Sequence, residues 1–158
     1  MSPEHRCSEH VANQLNTVSI YKIDAISGAL ASLGTAPAGA GPMSLAVDPA
    51  GKFAYVGDIS SANLIYSFSI DTNTGLLTNT GSLPAGGLSP YPVLVEPAGK
   101  FAYGANINSK NISIFSIDPN TGELNAAGNV ATTTAPGALT VTSKIQEHEK
   151  GHCPVLRP

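Results

Sequence analysis

The chain has 158 residues, of which 42% are hydrophobic and only 12% are charged. This length is enough for one domain with a sizeable core, and the hydrophobic share excludes an intrinsically disordered chain. The formal net charge of −3 argues against binding to nucleic acid or to an anionic membrane through a positively charged surface. No apolar run reaches the length of a membrane-spanning helix. We therefore predict no nucleic-acid partner and no membrane association.

The N-terminal segment, residues 1–15, shows no regular alternation of apolar and polar side chains. We predict that it forms an irregular tail. It also lacks the apolar core of a secretory signal peptide, which predicts a cytoplasmic location for the chain as written.

The chain has two cysteines, Cys7 and Cys153, which are too few for a disulfide framework. We interpret them as free thiols, with pairing of the two termini as the alternative.

From Asn16 onward the sequence repeats with an offset of 47 or 48 residues. The octapeptide Asp48-Pro-Ala-Gly-Lys-Phe-Ala-Tyr55 returns as Glu96-Pro-Ala-Gly-Lys-Phe-Ala-Tyr103. A second run, Ile65-Tyr-Ser-Phe-Ser-Ile-Asp71, has counterparts at 18–24 and 112–118. A period in the forties with four short strands per unit is typical of β-propeller blades. The sequence therefore predicts an all-β fold made of antiparallel four-stranded blades.

Turn chemistry separates the strands in each unit. An Asp followed four residues later by Gly occurs at 24–28, 71–75 and 118–122, and we predict a hairpin turn with a positive φ at each glycine. Ser44-Leu-Ala-Val-Asp48 and Pro92-Val-Leu-Val-Glu96 lack polar alternation, which predicts buried inner strands. The same type of run recurs at Ala138-Leu-Thr-Val-Thr142.

These signals divide the chain into three segments. Residues 1–15 form the N-terminal tail, 16–142 a propeller-blade domain, and 143–158 an irregular C-terminal tail. Within the domain we predict eleven strands, in a partial unit at 17–35, units at 41–87 and 88–132, and a partial unit at 137–142. Two blades with a fragment at each end cannot close a ring. We therefore expect a homodimer that completes a six-bladed ring, with the missing second strand supplied by residues 144–156 or left absent. The alternative is a monomer in which 17–35 pairs with 137–142.

The repeated octapeptide, together with Ile65–Asp71 and Asn73-Thr-Gly-Leu-Leu77, resembles the lactonase family of β-propellers, which includes 6-phosphogluconolactonase of the propeller type and the YVTN-type repeat proteins. The resemblance covers residues 17–142 and implies a chain of partial length, because members usually have seven blades and roughly twice this length. It implies a hydrolase of sugar lactones, with a lactone or sugar as partner and no cofactor. It also leaves a periplasmic or extracellular location open.

In the enzymes of this family, the resemblance implies a central-channel site of Arg, His and Glu side chains. Residues 17–142 contain neither His nor Arg, so no residue of this domain can be matched to the catalytic Arg and His of the family. The catalytic residues are therefore unknown. The alternative function is a non-catalytic repeat module for protein or cell-surface interaction.

Two groups of residues are candidates for a site. Asp58 and Asn106 end the second strands of equivalent blades, and with Tyr91 and Lys110 they belong to loops on one rim of the propeller, where propeller ligands usually enter. The alternative is that Asp58 and Asn106 only close their turns. The second group is a weak metal-site candidate because it gathers the soft ligands of both tails, namely His5, Cys7, His10, His148, His152 and Cys153.

Overall fold

The computed structural model describes residues 7–142, and the regular secondary structure of this part of the chain consists of strands. No helix within residues 7–142 is long and apolar enough to cross a membrane. The strands are β1 (Ser8–Asn13), β2 (Thr17–Ile23), β3 (Leu30–Pro37), β4 (Pro42–Val47), β5 (Phe53–Asp58), β6 (Leu64–Ile70), β7 (Leu77–Pro84), β8 (Pro90–Val95), β9 (Phe101–Asn106), β10 (Asn111–Ile117) and β11 (Leu124–Ala131).

The strands form three antiparallel sheets in which each strand pairs with its neighbour along the chain. We call them the first blade (β1–β3), the middle blade (β4–β7) and the last blade (β8–β11). The middle and last blades have four strands each, and the first has three. The prediction of an all-β fold built from propeller blades is confirmed.

The N-terminal tail is not irregular throughout, because Ser8–Asn13 forms β1 and pairs with β2. The prediction for residues 1–15 is therefore wrong in this segment. Its register identifies its role: Asn13 lies opposite Thr17, as Asp58 lies opposite Leu64 and Asn106 opposite Asn111. β1 is thus the second strand of the first blade. It forms because β2 offers an unpaired edge, a long-range effect that local alternation does not report.

The inner strand predicted at 137–142 does not form a ladder within the described residues. The total of eleven strands is reached through β1 instead. The physical reason is that strand geometry is stabilised by pairing, and no second strand lies beside this segment. Val141 and Thr142 lie against the last blade, where they line a depression together with Glu96, Phe101 and Tyr103.

The core consists of two clusters, one at each blade-to-blade interface. Val18, Ile20 and Phe68 belong to the cluster between the first and middle blades, whereas Ile65 and Phe115 belong to the one between the middle and last blades. The side chains of β5 alternate between these two clusters, as the period of two in a strand requires. Each large side chain buried in this way contributes about 1.5–3 kcal/mol.

The outer hairpin of each blade has the same geometry. The turn glycines Gly28, Gly75 and Gly122 have φ of 70°, 78° and 71°, as the sequence predicts. Each glycine N–H donates to the carbonyl of the aspartate that begins its turn, at 2.6–2.8 Å. A bulge then follows at an equivalent point of all three hairpins, after Ile20, Ser67 and Ile114. The three hairpins therefore repeat in backbone conformation as well as in amino-acid sequence.

Candidate functional site

Asp58 lies at the rim where the second strand of the middle blade ends, and its side chain is 1% exposed. The carboxylate accepts hydrogen bonds from the backbone N–H of Ala40 at 3.1 Å and of Ser60 at 2.8 Å. It therefore fixes the loop that enters the middle blade. Both carboxylate oxygens are engaged, which agrees with the interpretation of Asp58 as a turn-closing residue.

Asn106, the equivalent residue in the last blade, is fully buried. Its side-chain nitrogen donates to the hydroxyl of Ser113 at 2.8 Å. Its side-chain oxygen has no hydrogen-bond partner, and neither does the side-chain oxygen of Asn111. Both asparagines lie within 3 Å of the position that a Cβ on Gly87 would take. Two unpaired acceptors are thus packed around one glycine at this rim.

Tyr91 and Lys110 are exposed; Tyr91 is the second residue of β8, so its prediction as a loop residue is wrong, whereas Lys110 lies in the turn after β9. The residue before β8 is joined to the turn after β9: the Asn108 side chain donates to the hydroxyl of Ser89 at 2.7 Å, and the Ile107 N–H donates to the Ser89 carbonyl at 3.1 Å. Within residues 7–142, no hydrogen bond connects any two of the four side chains predicted for the rim. The structure places Asp58 and Asn106 at the ends of β5 and β9, Tyr91 near the start of β8 and Lys110 in the turn after β9, without forming one constellation.

Three depressions of the surface lie elsewhere. One of about 340 Å³ separates β7 from the last hairpin, one of about 300 Å³ separates the Pro-Ala-Gly turns, and one of about 410 Å³ adjoins Val141. None of these three is lined by Asp58, Asn106, Tyr91 or Lys110.

Of the six metal candidates, Cys7 and His10 belong to the described part, and the other four lie outside it. His10 Nε2 donates to the carbonyl of Gly75 at 2.9 Å. Cys7 is disulfide-bonded, so the interpretation of this residue as a free thiol is wrong. Residues 7–142 contain no group of three or more His, Cys, Asp or Glu side chains placed to hold a metal ion.

The carboxylates of the hairpin turns are committed to backbone groups. The pKa of Asp71 is lowered by the hydrogen bond from the Asn73 backbone, and that of Asp118 by the one from Asn120. For Glu96, burial raises the pKa, but the N–H groups of the following turn outweigh it and the net pKa is lowered. Groups held ionised in this way stabilise turns and are poorly suited to general acid catalysis.

A contact that joins the blades was not predicted from the sequence. His10, Tyr55 and Tyr103 are equivalent, since they lie opposite Ile20, Ser67 and Ile114 in their sheets. The Tyr55 hydroxyl donates to the Gly122 carbonyl at 2.9 Å, as His10 does to Gly75, and burial raises the Tyr55 pKa. The signal for it was the Tyr at a fixed place in each octapeptide.

Comparison with known proteins identifies the architecture. Residues 16–142 match the family described as lactonase, seven-bladed β-propeller. The fold is similar to the periplasmic gluconolactonase of Pseudomonas aeruginosa, with 26% identity, a TM-score of 0.72, and coverage of 80% of this chain and 37% of that one. No curated protein matches the chain.

Two further crystal structures carry the provisional name 6-phosphogluconolactonase. One, from Bacteroides fragilis, has 24% identity and a TM-score of 0.76, and the match covers 81% of this chain and 37% of that one. The other, from Bacteroides uniformis, has 22% identity and a TM-score of 0.76, with coverage of 81% and 38%. The match thus spans less than two fifths of either protein. From the family match over 16–142 and the stacked four-stranded blades, the chain belongs to the lactonase family of seven-bladed β-propellers.

Proposed function

We propose that this chain supplies blades to a lactonase-type propeller that binds sugar lactones and hydrolyses them. The observation that carries the proposal is the family match across the whole blade domain, residues 16–142. The names of the similar structures, gluconolactonase and 6-phosphogluconolactonase, indicate the substrate class. A lactone ring bearing hydroxyl or phosphate groups is the corresponding ligand.

Hydrolysis of a lactone needs a base that activates water and donors that stabilise the developing oxyanion. The rim supplies donors in the Tyr91 hydroxyl and the Lys110 ammonium group, both exposed. A Lys ammonium is also a suitable partner for a phosphate. The described residues include no Arg, and their single His is held by the Gly75 carbonyl. A free imidazole base would therefore have to come from beyond the described residues.

The second candidate function is a non-catalytic repeat module for protein or cell-surface interaction. The observation that favours it is the engagement of Asp58, His10 and the hairpin carboxylates in structural hydrogen bonds. These are groups that acid–base catalysis would otherwise use. In this case the propeller rim would recognise a partner without chemical conversion.

A hydrolysis assay on the purified 158-residue chain separates the two functions. The rate of acid release from 6-phosphogluconolactone and from unphosphorylated gluconolactone is measured in a pH-stat, with spontaneous hydrolysis subtracted. The proposal expects a protein-dependent rate. No rate above the spontaneous one with either lactone, together with no binding in calorimetry, would favour the non-catalytic module.

A charge variant tests the rim. Lys110→Ala should raise KM for the phosphorylated lactone several-fold and leave KM for the unphosphorylated lactone almost unchanged, because only the former bears the phosphate. Lys52→Ala is the matched control, since Lys52 is also exposed but lies in the Pro-Ala-Gly-Lys turn between β4 and β5, at the opposite strand ends from the turn of Lys110. Equal effects of the two substitutions would exclude the rim around Lys110 as the binding site.

A further inference from the structure

The two joints between the described blades differ in the side chains at their outer side. We call them the first joint, between the first and middle blades, and the second joint, between the middle and last blades. At each joint, the fourth strand of one blade lies beside the hairpin turn of the next blade. Because the blades repeat, the two joints can be compared residue by residue.

Apolar side chains occupy the outer side of the first joint. Ile20, which is 2% exposed, lies opposite His10 in its sheet. Leu33 is the extra residue of the bulge in β3. Its Cδ1 lies 4.0 Å from the position that a Cβ on Gly75 would take, and Leu76 follows this glycine in the chain. Leu33 therefore reaches from the first blade to the hairpin turn of the middle blade.

The second joint has polar side chains at the same three positions. Ser67 replaces Ile20, Thr80 is the extra residue of the bulge in β7, and Glu123 follows the turn glycine Gly122. All three line the depression of about 340 Å³ between β7 and the last hairpin. Two branched apolar side chains are thus replaced by shorter side chains with hydroxyl groups, and open space lies beside them.

The base of this depression combines an unpaired hydroxyl with an apolar surface. Ser67 is 6% exposed, and its hydroxyl makes no hydrogen bond within residues 7–142. Leu124 is 5% exposed and lines the depression together with the partly buried Leu83. A buried hydroxyl without a partner costs free energy, which a ligand or an ordered water can recover by bonding to it. Ser67 therefore marks a position for a hydrogen-bonding ligand.

The mouth of the depression is polar and carries negative charge. Thr80, Ser82 and Thr121 supply exposed hydroxyl groups, and Glu123 supplies an exposed carboxylate. The side chains of Thr80, Ser82 and Glu123 make no hydrogen bond or ion pair in the described part of the chain. A carboxylate only accepts hydrogen bonds, whereas a hydroxyl both donates and accepts. None of the residues that line the depression is Lys, Arg or His. This set suits a ligand with several O–H groups and no negative charge.

We propose that the depression binds one neutral sugar ring or a polyol of similar size. The Glu123 carboxylate accepts hydrogen bonds from adjacent ligand hydroxyls, in charge-assisted bonds that are stronger than neutral ones. Ser67 bonds to the ligand hydroxyl that enters deepest, and Leu83 and Leu124 contact the C–H groups of the ring. The volume of about 340 Å³ is at the lower end of the range for small-molecule sites, which limits the ligand to a single ring.

The proposal is independent of lactone hydrolysis. Both walls of the depression belong to one joint within the described residues, so the site does not depend on chain before or after them. Glucose and sorbitol contain no lactone bond. Failure of either to bind would therefore leave the hydrolysis assay unaffected, and absence of hydrolysis would leave the binding experiment unaffected.

Titration of the purified 158-residue chain, followed by ¹H–¹⁵N NMR, tests the site with glucose, sorbitol and gluconate as probes. We expect saturable shifts at the amides of Gly81, Ser82 and Leu124 with glucose, and a dissociation constant on the order of 1–10 mM for a small ligand in an open depression. Gluconate should bind several-fold more weakly, because its carboxylate is repelled by Glu123. No saturable shift with glucose or sorbitol, or shifts with methylammonium alone, would overturn the proposal.

Thr80→Leu places in the second joint the side chain found at the first. It should raise the dissociation constant of glucose by about tenfold or more, because Leu33 reaches the hairpin turn from the equivalent position. Thr80 is exposed, so the fold should be retained. Ser82→Thr is the matched control, since Thr35 is its counterpart and the hydroxyl is kept. Equal glucose affinities in the two variants would contradict the site.

Two further substitutions separate the polar contacts. Ser67→Ala removes a hydroxyl without a partner in the described residues, so stability should not fall, while the dissociation constant of glucose should rise several-fold. Glu123→Gln should weaken glucose binding several-fold and remove the preference over gluconate, because one acceptor oxygen remains and the charge is lost. Unchanged glucose binding in both variants would show that the shifts arise elsewhere and would overturn the proposal.

Discussion

Gly122→Ala should be among the most destabilising single-methyl additions to the described chain. Gly122 has a φ of 71°, and a Cβ there would contact the ring of Phe53, with Cε1 only 2.7 Å away. The positive φ costs a non-glycine residue about 1 kcal/mol. Crowding of a packed aromatic ring adds about 1–3 kcal/mol. We therefore expect a loss of about 2–4 kcal/mol in the free energy of unfolding.

The measurement is urea unfolding followed by far-UV circular dichroism, at one fixed protein concentration so that association contributes equally to all variants. For a chain of this size, the expected loss corresponds to a fall in Tm of roughly 5–15 °C. Gly51→Ala isolates the backbone contribution, because its φ is 68° and no atom lies within 4 Å of its Cβ position. It should lose about 1 kcal/mol. Equal losses in the two variants would refute the packing argument.

Three further predictions follow from hydrogen bonds. Asp58→Ala should cost about 2–4 kcal/mol in urea unfolding, because it leaves two backbone N–H groups without their acceptor, and Asp58→Asn should recover part of the loss. Tyr55→Phe should cost about 1–2 kcal/mol, whereas Tyr21→Phe, which removes a hydroxyl without a partner in the described residues, should cost less. The pKa values of the hairpin aspartates Asp24, Asp71 and Asp118 are lowered on folding, so their ionised forms stabilise the fold above pH about 4, and this contribution is lost as the pH falls further. Replacing all three with Asn should therefore make the fall of Tm with decreasing pH less steep.

The blade repeat could be predicted because its determinants are local. The Asp and Gly of each hairpin act within five residues, and the φ values at Gly28, Gly75 and Gly122 agree with the prediction. Alternation of apolar residues likewise located β2, β6 and β10. These features follow from turn chemistry and strand period, which a single sequence reports directly.

The edges of the repeat were not predictable in the same way, because pairing at an edge depends on distant residues. β1 carries Glu9 and His10 where its counterparts have Ala and Tyr, so the sequence of residues 8–13 did not predict a strand. For residues 138–142 the reverse is true: a strand was predicted and none forms in the described chain. Its sequence favours an inner strand, but the described chain offers it no partner. Strand formation is decided by the ladder as well as by propensity.

The rim was located from the sequence, but the role of its residues was not. Asp58 and Asn106 end their strands as predicted. Their hydrogen bonds depend on loop geometry that the sequence does not encode locally: Asp58 accepts from Ala40, eighteen residues away. The joint made by Tyr55 and Gly122 connects residues 67 positions apart. Contacts between blades become visible only when the blades are stacked.

The middle blade differs from the other two in having a packed cluster on each of its faces. In a stack where each unit contacts only its neighbours, a unit with two interfaces opens only when both are lost. The amides of β5 and β6 should therefore exchange with solvent most slowly, while β3 and β11, the outermost strands of the flanking blades, exchange first. Stability along the described residues would then be graded from the middle blade toward the two flanking blades.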